Sequence, residues 1–120
     1  MSFLKWAGQA AMGVPFIWLG YEAFSEPGGR VALAENFGIP QPETVVKANG
    51  LAMVAGGTAL VTNVLPRAAA VGLVASLLPT TLAGHQFWKY DDSQARAGQR
   101  IQVLKNLGLV GGLITIAARR

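Results

Sequence analysis

Hydrophobic residues in this chain fall into four long stretches and do not follow the period of about 3.6 residues that marks an amphipathic helix. The stretches cover residues 3–24, 45–65, 68–88 and 101–118. A helix needs about 20 predominantly apolar residues to cross the hydrocarbon core of a bilayer. The pattern therefore predicts an all-α integral membrane protein, in which a four-helix bundle forms a single domain over residues 1–120.

The composition supports a membrane protein over a soluble one. Charged residues make up 13% of the chain and hydrophobic residues 52%, whereas soluble domains carry roughly 25% charged residues. The competing interpretation is a soluble four-helix bundle, which would need a polar stripe on every helix. None of the four stretches has such a stripe, so we expect their surfaces to contact lipid.

The segment between the first two stretches, residues 25–44, contains several helix breakers. Residues 27–29 (PGG) end the first helix, and Pro40 and Pro42 delay the second. Between them, residues 30–37 mix apolar and charged positions over barely two turns. A short interfacial helix and an ordinary polar loop with buried anchors both fit this pattern.

The second and third stretches are separated only by Pro66 and Arg67, which predicts an antiparallel hairpin. With four spans, both termini and this turn lie on one side of the membrane, and all six acidic residues lie on the other. Lysine and arginine occur on both sides, so the positive-inside rule is not decisive by count. The turn and the C-terminus are basic with no acidic neighbour, which favours cytoplasmic termini.

The residue inventory excludes several kinds of chemistry. There is no cysteine and only one histidine, which argues against a thiolate metal site, a disulfide framework and a nucleophilic triad. A low-spin haem normally takes two axial ligands, and His85 is the single histidine. No metal site is predicted. The basic residues are scattered and form no stripe of the kind that binds nucleic acid.

Polar residues near the ends of the four stretches form the candidate site. The predicted topology brings them to one membrane face, where ionisable groups usually pair or mark a ligand site. They are Glu22, Lys47, Asn49, His85, Gln86, Lys105 and Asn106. Pro79 predicts a kink in the third helix, with Thr80 or Thr81 satisfying the freed carbonyl of Ala75. Beyond the kink, helical spacing places Thr81, His85 and Trp88 on one face.

Two interpretations of this cluster remain open. In the structural one, Glu22 pairs with Lys47 or Lys105, and the amide side chains hydrogen-bond between helices. In the functional one, His85 exchanges a proton with the headgroup of a quinone or similar ligand, while a lysine or an asparagine of the cluster polarises the carbonyl of the ligand.

The fourth stretch carries a small-xxx-small pair, Gly108 and Gly112, which allows two helices to approach closely. Packing inside the bundle is the favoured interpretation. A dimer seam is the alternative, which leaves a homo-oligomer open.

Several motifs together resemble the DoxX family of small bacterial membrane proteins. The most specific are residues 78–88 (LPTTLAGHQFW), followed by Asp91-Asp92 and then by residues 105–113 (KNLGLVGGL). The resemblance runs from about residue 12 to residue 118. Its other elements, in chain order, are Gly38-Ile39-Pro40, Asn49-Gly50, Gly56-Gly57 and Pro66-Arg67.

The resemblance implies a four-helix bundle in the bacterial inner (plasma) membrane, of the actinobacterial branch, described as a subunit of a quinol-oxidase or thiosulfate:quinone oxidoreductase type. We therefore expect an accessory subunit that contacts lipid, docks onto a larger redox or respiratory complex, and binds a quinone or lipid non-covalently near His85, Lys105 and Asn106. An independent enzyme is less favoured. The alternative is a structural or assembly protein with no ligand and no catalytic activity.

Overall fold

The computed structural model describes residues 1–119, and it contains only helices and connecting loops over that range. The predicted all-α fold is therefore confirmed. The elements are α1 (Phe3–Ser25), α2 (Gly29–Asn36), α3 (Pro42–Thr62), α4 (Pro66–Gly84), a 3₁₀ turn (Phe87–Lys89) and α5 (Ser93–Ala117).

Local sequence explains where the long helices begin. Proline is the first residue of both α3 and α4, where its missing N–H would have had no helical partner. The side chain of Asp92 accepts a hydrogen bond of 2.9 Å from the backbone N–H of Ala95 and so caps α5. Ser2 caps α1 in the same way, accepting from the N–H of Lys5.

Three boundaries differ from the sequence-based expectation. The Asp92 cap starts α5 at Ser93, well before the predicted residue 101. Helix α4 stops at Gly84 and does not continue to residue 88. The connection between α3 and α4 is formed by residues 63–65, with Asn63 and Leu65 at φ angles of 58° and 46°, and Pro66 and Arg67 already belong to α4.

Within residues 1–119, three helical segments are long and apolar enough to cross a membrane: Pro42–Thr62, Pro66–Lys89 and Ser93–Ala117. Only 11–17% of the residues in their most apolar stretches are buried, so most of this apolar surface faces outward, where lipid can cover it. Helix α1 is 23 residues long but contains Gln9 and Glu22, which lower its hydropathy. That α1 forms a fourth span stays a prediction.

The helices pack as two antiparallel pairs. Helix α1 lies along α3, α5 lies along α4, and α3 and α4 join the pairs, whereas α1 and α5 meet over a short length. The buried core lies where the four meet, and its residues are Phe16, Leu60, Ala70, Leu73, Leu77, Leu113 and Ile116.

The two ends of the bundle differ in what they contain. We call one the turn end, because it carries the 63–65 turn together with the start of α1 and the end of α5. We call the other the loop end, because it carries α2, the 3₁₀ turn and the start of α5. Most residues of the candidate site predicted from the sequence lie toward the loop end, whereas the early start of α5 places Lys105 and Asn106 at the middle of that helix.

Candidate ligand site at the loop end

His85 is held in place by two interactions at the end of α4. Its backbone N–H donates to the carbonyl of Thr81 over 3.0 Å, and its ring Nδ1 lies 2.6 Å from the side-chain oxygen Oε1 of Gln99 on α5. An amide oxygen only accepts, so the proton of a neutral His85 lies on Nδ1. The half-buried ring is left with Nε2 as an acceptor.

Thr81 and Asn106 form a second link between α4 and α5. The Nδ2 of Asn106 donates to the Oγ1 of Thr81 over 2.9 Å, and that hydroxyl donates to the carbonyl of Leu77 over 2.6 Å. Both side chains are half-buried. The structure thus brings three predicted site residues, Thr81, His85 and Asn106, to the same seam between α4 and α5.

Asn49 makes the corresponding link between α3 and α4. The hydroxyl of Ser76 donates to the Oδ1 of Asn49 over 2.7 Å, and the Nδ2 of Asn49 lies 3.6 Å from the sulfur of Met53. Helix α4 is therefore fastened to both neighbouring helices by hydrogen bonds between side chains.

Pro79 lies inside α4, as expected, but the neighbouring threonines bond differently from the prediction. Thr80 donates to the carbonyls of Ser76 and Leu77, over 2.9 and 3.1 Å, and Thr81 also donates to that of Leu77. The carbonyl that loses its donor to the proline is that of Ala75, so the expected compensation is wrong. The reach of a threonine hydroxyl, three or four residues back along a helix, explains the difference.

Trp88 does not share a helical face with Thr81 and His85. Because α4 ends at Gly84, Trp88 belongs to the following 3₁₀ turn, and its side chain is 54% exposed. It packs edge-on against Phe87, with ring centroids 5.2 Å apart. An exposed indole near the end of a membrane-type helical segment is typical of the membrane–water interface.

The charged members of the predicted cluster are not joined to one another. Glu22 lies 3.6 Å from Arg30 and accepts a hydrogen bond from the indole of Trp18. Lys47 pairs with Glu43 one turn earlier on α3, over 3.5 Å. The expected pairing of Glu22 with Lys47 or Lys105 is therefore wrong, because Glu22 and Lys47 each pair with a residue that is nearer in the sequence.

Lys105 is also separate from this seam. Its ammonium donates to the side chain of Gln102 over 3.3 Å, and the residue is exposed. It lies next to Asn106 in sequence but on a different face of α5.

The two glycines singled out on α5 have different surroundings. Gly112 lies directly against the side chain of Met12 on α1, so it serves packing within the bundle. A Cβ at Gly108 would meet nothing within 4 Å. The small-xxx-small pair therefore does not act as a unit within this chain.

Gln99 and Gln9 make tertiary contacts that the sequence analysis does not predict. Gln99 falls in the segment expected to be a loop, and only the helix-capping signal of Asp92 places it on α5. Gln9 is completely buried at the turn end. As the lone amide in the uncharged residues 6–21, it could have been noticed.

Gln9 connects three segments of the chain. Its Nε2 donates to the carbonyl of Leu60 over 2.8 Å and to the Oδ1 of Asn63 over 3.0 Å. Its Oε1 accepts from the guanidinium of Arg119 over 2.6 Å. This network ties α1 to the end of α3 and to the residues after α5.

Open depressions in the described surface lie away from His85. One, at the loop end, is bordered by Trp18, Tyr21, Glu22, Ser25 and Glu26. Another, at the turn end, is bordered by Leu65, Pro66, Arg67, Ala68, Val71 and Ala117. Within residues 1–119, no group of three or more histidine or acidic side chains is placed to hold a metal ion.

Comparison with known proteins gives one informative result. No curated protein and no solved structure matches the chain significantly. The DoxX family model matches residues 7–86, which include most of α1, all of α2 to α4, and His85. That match covers two thirds of the sequence and agrees with the membrane-type helices of the structure. The chain therefore belongs to the DoxX family.

Proposed function

We propose that this DoxX-family membrane protein is an accessory subunit of a redox or respiratory complex in the bacterial plasma membrane. We further propose that a quinone or lipid headgroup binds at the loop end beside His85. The observation that carries the proposal is the 2.6 Å contact between His85 Nδ1 and Gln99 Oε1, because it orients the imidazole and leaves Nε2 able to accept a hydrogen bond from a ligand hydroxyl.

The surroundings of His85 support an interfacial headgroup site. Thr81 and Asn106 place further hydrogen-bonding groups along the same seam, and the exposed Trp88 follows three residues after His85, in the 3₁₀ turn. A headgroup at this position would meet polar groups, while its apolar tail would lie against the outward-facing helix surfaces.

An accessory role fits the residue inventory better than an independent redox enzyme. The chain has no cysteine and one histidine, so it offers no set of side chains that carries electrons alone. Large apolar surfaces on α1 and α5, including Leu4, Leu104 and Leu107, are more than half exposed. These surfaces are available to lipid or to a larger complex.

A second function is favoured by a specific observation. Thr81 and Asn106 are hydrogen-bonded to each other, as are Ser76 and Asn49. Such pairs hold helices together without any ligand. In this alternative the protein is a structural or assembly factor, and the link between His85 and Gln99 is one more fastening.

The first experiment is purification of the native protein in a gentle detergent, with mass spectrometry of co-eluting proteins and analysis of extracted quinones and lipids. A stoichiometric redox complex together with a bound quinone or specific lipid is expected. Isolation of the chain alone with bulk lipid would support the structural alternative.

Variants of His85 and Gln99 test whether the ligand binds at the loop end. We expect His85→Ala and Gln99→Leu to reduce the retained ligand about tenfold, as loss of one hydrogen bond of about 1.4 kcal/mol implies. Gln94→Leu, on the exposed surface of α5, is the matched control. Unchanged ligand content in His85→Ala would overturn the ligand proposal.

A further inference from the structure

Acidic residues are confined to one end of the bundle, whereas basic residues occur at both ends. All six acidic residues lie at the loop end, in the segments from Glu22 to Glu43 and at Asp91 and Asp92. The turn end carries Lys5, Arg67 and Arg119, with no acidic side chain among its described residues. An anion that approaches the turn end therefore meets only positive charge.

Of the two described arginines at the turn end, Arg67 is the one that remains able to bind an external anion. The guanidinium of Arg119 is bonded to the buried Gln9. Arg67 is exposed, and its Nε donates to the carbonyl of Ala117 over 3.3 Å. This bond leaves the two Nη groups of Arg67 without a protein acceptor in the described structure, and it directs the guanidinium across the gap between α4 and α5.

The surface next to Arg67 is an open apolar depression. It is lined by Leu65, Pro66, Ala68, Val71 and Ala117. Leu65 and Val71 are 74% and 59% exposed, so the depression opens outward, where a bilayer would lie. Helix α4 begins at Pro66, and the positive end of its dipole therefore adds to the charge of Arg67.

We propose that this depression is a binding site for an anionic phospholipid. The phosphate is held by the Nη groups of Arg67, and one acyl chain lies over Val71 and Ala117. Arginine suits this role because its planar guanidinium binds phosphate oxygens in pairs, and basic pockets between membrane helices bind lipid headgroups. The site is at the opposite end of the bundle from His85 and is independent of the function proposed above.

The test uses nanodiscs that contain equal amounts of phosphatidylglycerol and phosphatidylcholine with identical acyl chains. The full-length protein is released from them, and the lipids it retains are counted by native mass spectrometry. We expect phosphatidylglycerol to be enriched about fivefold, the effect of one well-placed basic side chain at a membrane surface. Equal retention of the two lipids would overturn the proposal.

Three variants identify the residues involved. Arg67→Gln should abolish the enrichment, and Arg100→Gln, which removes the same charge at the loop end, should retain it. Ala117→Trp should keep the charge but fill the depression, and so reduce retention of phosphatidylglycerol. If Arg67→Gln and Arg100→Gln reduce the enrichment equally, the effect is one of net charge and the proposed site is wrong. Circular dichroism confirms that each variant is folded.

Discussion

Gly13 on α1 and Gly57 on α3 face each other so closely that a Cβ on either would lie 2.5 Å from the carbonyl oxygen of the other. Gly20 and Gly50 repeat this relationship two helical turns away, at 2.6 Å. Both helices space their glycines by seven residues, and they run in opposite directions. The backbones therefore touch along a seam, where close contacts of the Cα–H···O type add to van der Waals packing.

The first prediction concerns this seam. We expect Gly57→Ala to lower the free energy of unfolding by about 1–3 kcal/mol, because the added methyl overpacks the contact with Gly13. Gly72→Ala is the control, since a Cβ there meets nothing within 4 Å. Thermal unfolding of both variants in one detergent, followed by circular dichroism, makes the comparison. Equal melting temperatures of the two variants would show that α1 and α3 can move apart to accommodate the added methyl without a loss of stability.

The second prediction concerns the buried amide at the turn end. Leucine is nearly the same size as glutamine, but Gln9→Leu leaves the guanidinium of Arg119 and the side chain of Asn63 without this hydrogen-bond partner. We expect a loss of about 0.6–2 kcal/mol in stability, the range for hydrogen bonds between membrane helices. Gln41→Leu, on the exposed residue before α3, should change the melting temperature little. A Gln9→Leu variant as stable as the wild type would contradict a stabilising network.

The third prediction concerns the stability that the hydrogen bond between Thr81 and Asn106 contributes to the seam between α4 and α5. In a double-mutant cycle, Thr81→Val and Asn106→Leu should show a coupling of about 0.6 kcal/mol, with about 1.7 kcal/mol as an upper value. The free energies come from reversible unfolding of the four proteins in mixed micelles. Additive effects of the two substitutions would mean that the 2.9 Å contact contributes no stability. Lys105→Leu, which lies outside the seam, should not couple to Thr81→Val.

The fourth prediction concerns orientation and the crossing of α1. The chain has no cysteine, so single cysteines report their side of the membrane without background. With cytoplasmic termini and four spans, an impermeant maleimide should label Asp91→Cys on intact spheroplasts. Phe3→Cys and Ala118→Cys should be labelled only after permeabilisation. The reverse labelling pattern would show that the termini lie outside the cytoplasm. Labelling of Phe3→Cys and Ala118→Cys from opposite sides would show that α1 does not cross the membrane.

Much of the fold could be predicted because membrane helices leave strong local signals. The apolar stretches, the PGG sequence after α1 and the prolines at the starts of α3 and α4 are properties of neighbouring residues. The ambiguous residues 30–37 became a helix, α2, with Ala34 buried. Hydropathy alone does not show the start of α5, because residues 93–100 are mostly polar and only the Asp92 cap marks the beginning of the helix.

The candidate site was predicted less completely. Thr81, His85 and Asn106 do converge, but Gln99 was absent from the prediction and Trp88 was placed on the wrong face. Both errors come from the helix ends, since the spacing of about 100° per residue holds only inside a helix. Trp88 lies beyond the end of α4 at Gly84, and Gln99 lies before the predicted start of α5 but within its observed range.

The sequence by itself determined the class of the protein, its helices and their order, because hydropathy and helix-breaking residues act over short distances. Tertiary structure alone decided which partners the polar groups take. Gln9 pairs with Asn63 and Arg119, Asn106 with Thr81, and His85 with Gln99. Hydrogen bonds and ion pairs depend on separations of a few ångströms, and those separations are fixed only when helices far apart in sequence pack against each other.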